Sequence, residues 1–139
     1  AFGDLTWDRE KDLFCPVDKV GKVDVYLATH HGTALSGSPA ALNALAPVVA
    51  IVGTSARKGA DAARMKTIQA SPRIQGVSQL HTTTAAPDIN VPADMIANDG
   101  TDQAKDKAYA LRLRIEKNGK ITVINERTGY NKTYGANAS

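Results

Sequence analysis

The chain has 139 residues, about one domain's length, and its 42% apolar and 22% charged residues are ordinary for a globular chain that forms a core. Its formal charge of +3 comes from scattered lysines and arginines, with Arg57-Lys58 and Arg112/Arg114 the only local groupings, which is weak footing for a nucleic-acid partner. A single cysteine, Cys15, excludes an internal disulfide and a multi-cysteine zinc site, and no apolar stretch reaches the ~20 residues of a membrane span.

In chain order, Ala1-Phe2-Gly3 reads as the end of an apolar strand whose beginning is absent, and the start lacks the basic-then-apolar pattern of an export signal. The compartment therefore stays open. Residues 7–14 place Trp7, Leu13 and Phe14 among charges, which suits a short amphipathic helix closed by Pro16. In Leu13-Phe14-Cys15-Pro16 the thiol lacks a His or cationic neighbour, so Cys15 reads as a small buried apolar residue. Residues 23–28 are a β-branched and aromatic run between Gly21 and the His pair, hence a strand. Ser38-Pro39 starts a helix in the preferred order, cap then proline, with Leu42 and Leu45 on one face and Pro47 stopping it.

Val48-Val49-Ala50-Ile51-Val52 is apolar throughout rather than alternating, which predicts a strand covered on both faces. A helix over 60–70 spaces Ala62, Met65 and Ile68 or Gln69 on one side and ends at Ser71-Pro72, and 77–81 is a further short strand. This alternation is that of an α/β layer sandwich. Residues 82–107, rich in Thr, Ala, Pro, Asp and Asn, read as a long loop.

Residues 108–130 read as a C-terminal β-hairpin, because Leu111, Leu113 and Ile115 alternate with Arg112, Arg114 and Glu116. A two-residue Asn-Gly loop would pair Glu116 with Ile121 and send Ile121 and Val123 to the arginine face. A three-residue loop with Gly119 left-handed pairs Glu116 with Lys120 and Ile115 with Ile121, keeping the apolar residues together, and is the predicted register. Residues 131–139 read as a loose tail.

Two segments then carry a resemblance: Gly3-Asp4-Leu5-Thr6-Trp7, and the strand Val23-Asp24-Val25-Tyr26-Leu27-Ala28 running into Thr29-His30-His31-Gly32. With the Ser38-Pro39 helix and the strand after Pro47, they resemble the C-terminal half of metallo-β-lactamase-fold hydrolases, nearest the hydrolase-like domain of bacterial DNA-uptake (competence) proteins. The likeness covers roughly residues 1–81.

The resemblance implies an αββα sandwich, of which this chain is the C-terminal half: a mixed sheet, flanking helices and the hairpin as part of the same domain. It further implies one or two divalent ions, usually zinc. Asp4 would bridge the metals, and His31 or His30 would be the late ligand, with His31 favoured because Gly32 follows it. A metal-bound hydroxide would attack an ester, phosphoester or phosphodiester. In the family an HxHxDH cluster and a further His precede the Gly-Asp segment. This sequence holds neither, so on this reading it is a fragment, inactive until its N-terminal half or a complementing chain supplies the other ligands.

Each residue has a plainer alternative. Asp4 is also a fit cap for a helix beginning near Trp7, and the His pair a pair of loop residues. His81 reads as a surface or core histidine rather than a substrate contact, and Arg57-Lys58-Gly59 as a solvated loop rather than an anion site. The alternative from a different class is a non-catalytic module that binds nucleic acid or another anionic ligand on the same fold.

Overall fold

The computed structural model of the chain describes residues 1–100 and 102–135. Helix α1 is Trp7–Phe14. Phe2, expected in a strand, lies outside any element and sets its ring edge-on against Phe14, centroids 6.2 Å apart. Thr6, not Asp4, holds the N-cap position of α1, and its hydroxyl donates to the Asp8 carboxylate instead of capping a backbone amide. Cys15, expected to be buried, is exposed, because it stands just past the helix end and Phe14, the last helical residue, takes the buried position.

Strands β1 (Val25–Leu27), β2 (Val49–Val52), β3 (Gly76–His81) and β4 (Ile96–Asn98) form one sheet in the order β1-β2-β3-β4, every pair parallel. Parallel neighbours need a crossover. Helix α2 (Pro39–Leu45) supplies the first and α3 (Ala62–Gln69) the second. Ser38 caps α2, its hydroxyl accepting from the Ala41 amide at 3.2 Å. Residues 82–107, expected to be a loop, contain β4 and three short 3-10 turns, Pro87–Ile89, Ala93–Met95 and Gln103–Lys105.

Strands β5 (Leu111–Ile115), β6 (Lys120–Asn125) and β7 (Asn131–Gly135) form a second, antiparallel sheet. Ile115 lies opposite Ile121, Glu116 donates its amide to the Lys120 carbonyl, and Gly119 has φ +81°, so the three-residue turn is the one adopted. The expected hairpin is a three-stranded meander. Residues 131–135 of the expected tail are its third strand, anchored by Tyr134, which is buried; 136–139 lie outside the described residues.

The molecule is thus mixed α/β, with a parallel sheet between a helical layer and an antiparallel sheet. Successive β2 residues face opposite ways. Ala50 and Val52 join Leu42, Leu45, Met65 and Ile68 in the core under the helices, while Val49 and Ile51 join Ile121, Val123 and Tyr134 in the core between the sheets. All four β2 residues are buried, as the unbroken apolar run implied.

Candidate functional site

The carboxyl ends of parallel strands are where open α/β sheets bind ligands. Here those ends carry Thr29–Gly32 after β1, Gly53-Thr54-Ser55 after β2, and His81 at the end of β3. His30, His31 and Gly32 have φ of 51°, 58° and 74° in succession. Left-handed backbone at two non-glycine residues costs of order 1–3 kcal/mol each and must be held by its surroundings.

Several hydrogen bonds hold it. His30 donates its amide to the Gly3 carbonyl at 2.9 Å, which ties the Gly3-Asp4 turn to the His loop. Ala60 donates to the His31 carbonyl and Asp61 to the Gly32 carbonyl, both at 3.0 Å, and the Ala34 amide donates to the Asp61 carboxylate at 2.5 Å. Gly59, with φ +90°, passes so close to His31 that a Cβ there would overlap the His31 carbonyl.

Behind the loop, buried Glu10 accepts from the Gly37 amide at 2.5 Å and the Ser38 amide at 2.8 Å. Arg64 donates to the Gly37 carbonyl while its guanidinium lies over the Trp7 ring. Tyr26 donates to the Thr29 hydroxyl at 2.9 Å and accepts from the Thr29 amide at 3.0 Å, and burial pushes its phenol above the ordinary value.

Within this frame the His31 ring is exposed and its Nδ1 lies 2.8 Å from the Gly53 carbonyl. A carbonyl only accepts, so Nδ1 carries the proton and Nε2 is left as an acceptor. His30 is half-buried, and its Nδ1 is buried with no hydrogen-bond partner among the described residues. Asp4 is exposed in its turn. The backbone bond from His30 to Gly3 therefore brings together the two segments that the sequence singled out. Among the described residues no three His, Cys, Asp or Glu side chains form a group that could hold a metal ion. Arg57 and Lys58 are exposed in the turn after β2.

His81 is buried, a core histidine. Its Nδ1 donates to the Thr82 carbonyl at 2.9 Å, while its Nε2 lies 3.4 Å from an Asp106 carboxylate oxygen and has no hydrogen-bond partner among the described residues. Asp106 is 25 residues downstream, in the stretch whose composition predicts a loop, and only the fold brings it to His81. Gly53, Thr54 and Ser55 were missed as well. Their one signal was position, directly after the most apolar strand of the chain.

No helix of the described structure is long and apolar enough to cross a membrane. Comparison with family models, with characterised proteins and with solved structures returned no match.

Proposed function

We propose that this chain is the C-terminal part of a zinc-dependent hydrolase of the metallo-β-lactamase fold, acting on an ester or phosphoester. One observation carries the reading most: His31 is exposed and its Nδ1–H is held by the Gly53 carbonyl, which leaves Nε2 as the ring nitrogen for a metal. Metal-bound histidines ordinarily donate their other ring N–H to a carbonyl or carboxylate, which fixes tautomer and orientation.

Under this reading Asp4 and His31 hold the metal, with His30, whose Nδ1 is an orphaned buried acceptor or donor, as the second candidate ligand. The strained loop keeps the imidazole in place before any ligand arrives, so binding loses little entropy. When bound, such an ion acidifies water enough to supply a nucleophile near neutral pH. Exposed Arg57 and Lys58, on the turn that packs against the His loop, suit an anionic ester. Zinc takes four ligands at a structural site and three plus water at a catalytic one. Two or three from this chain leave the rest to an N-terminal half or a complementing chain that carries the HxHxDH cluster. The parallel sheet with helices on one face and a second sheet on the other is consistent with such a half of an αββα sandwich.

The test is zinc content, by elemental analysis, of this chain joined to or mixed with a segment bearing that cluster. The expected result is one or two bound zinc ions, with at least one lost on Asp4→Ala or His31→Ala. Salt-sensitive nucleic-acid binding that ignores chelator, with no zinc retained, would replace the hydrolase by the binding module.

A further inference from the structure

A cavity of about 390 Å³ opens at the carboxyl end of β2 and β3, within the size range of small-molecule sites. Its walls include Thr54, Ser55, Leu80, Tyr109 and the pair His81 and Asp106. Most of the polar atoms there are already spent. The Thr54 hydroxyl donates to the His81 carbonyl and accepts from the His81 amide. Asn98, also in the wall, gives its amide group to the Leu80 and Tyr109 carbonyls and takes the Tyr109 amide.

One buried nitrogen is not spent, and it faces a carboxylate. His81 Nε2 is buried and without a hydrogen-bond partner among the described residues. The facing Asp106 oxygen is 3.4 Å away, and the other Asp106 oxygen already accepts from the Ala108 amide at 2.9 Å. An N–H to O hydrogen bond lies nearer 2.9 Å, so the pair is set slightly too wide to satisfy itself. A buried polar atom left so costs about 1–3 kcal/mol.

We propose that this cavity binds a small alcohol with an apolar body, its hydroxyl held between His81 and Asp106. A hydroxyl both donates and accepts. It can give its proton to the carboxylate while its oxygen accepts from a protonated Nε2, or donate alone when the ring is neutral. A carboxylate would meet the Asp106 charge. Leu80, Ala108, Tyr109 and Ala110 give the rest of the ligand an apolar wall.

Thr54 and Ser55 directly follow Gly53, whose carbonyl holds His31, so the cavity begins where the His loop ends. Strands β1 and β3 are two spacings apart in the sheet, about 10 Å. Resting on the hydrolase reading for this step only, the alcohol is the leaving group of the ester.

The experiment is a carbon-proton NMR titration of the chain with 2-phenylethanol, following the His81 ring and Leu80 methyl signals. Propylbenzene and phenylacetate serve as comparators of like size. Saturable shifts with 2-phenylethanol are expected, with each comparator binding about ten-fold more weakly, the loss of one hydrogen bond at a buried polar pair. Asp106→Ala, on an exposed loop, and His81→Phe, which keeps a ring in place, should each lose about the same ten-fold. Equal affinity for propylbenzene, unchanged affinity in both variants, or no saturable shift up to the solubility of the alcohol would each overturn the site. The titration involves neither Asp4 nor His31. Its failure leaves the metal reading standing, and absence of zinc leaves the alcohol site standing without its leaving-group role.

Discussion

Gly59 is the residue on which the His loop most depends. Its φ of +90° is open to glycine, and the space a Cβ would take belongs to the His31 carbonyl. Gly59→Ala is expected to cost about 1–3 kcal/mol from backbone strain alone, read as a lower urea midpoint, and to shift the His31 ring signals in NMR. Tyr26 gives a pH signature. Burial raises its folded pKa above the ordinary 10.0, so the folded state keeps the neutral phenol while the unfolded chain ionises. The contribution is complete below pH 10 and is lost as pH climbs through the folded value. Urea midpoints between pH 9 and 11.5 should therefore fall, and Tyr26→Phe should make the fall shallower without removing it, since burial raises Tyr134 too. Cys15 makes the simplest check. Being exposed, it should react with a thiol reagent in the native protein as fast as in urea; a protected thiol would contradict its placement.

At the scale of elements, what the sequence revealed follows from how much of each element is covered. The run from Val48 to Val52 was legible because both its faces are buried, and the β5–β6 register because one face is. Strand β7, Asn131–Gly135, lies at a sheet edge and buries a single large side chain, Tyr134, so its sequence carries almost no period. Strand β4 has three residues, too few for any alternation, and its partner β3 supplies what the local sequence lacks. The Asp4 and His30-His31 segments are singled out by a resemblance alone, whereas Asp106 has no local signal, since the loop carrying it meets His81 only after folding. Tyr134 packs so tightly on Gly76 that a Cβ there would overlap its ring. Tyr134→Ala is expected to cost about 3–5 kcal/mol, as for large aromatic truncations in cores, a loss that a mobile tail could not produce. Equilibrium unfolding in urea distinguishes the two.

At the scale of the whole molecule, the two cores are not separable. They share β2, whose alternate residues belong to one and the other, so loss of either outer layer exposes half of the same strand to water. A single cooperative transition is expected. Trp7 fluorescence reports the helical side and far-ultraviolet dichroism is weighted towards secondary structure in both layers; their unfolding curves should coincide. Separate midpoints would mean that the meander melts independently. The turn after β2 extends this sharing from stability to chemistry. Gly53 steers the His31 ring, while its next two neighbours wall the cavity beside His81. A change that widens that cavity by moving Thr54 or Ser55 also pulls on the neighbouring Gly53 carbonyl, which holds the imidazole. The His31 imidazole and the cavity are thus coupled through one turn, and a substitution chosen to enlarge the one is expected to tilt the other.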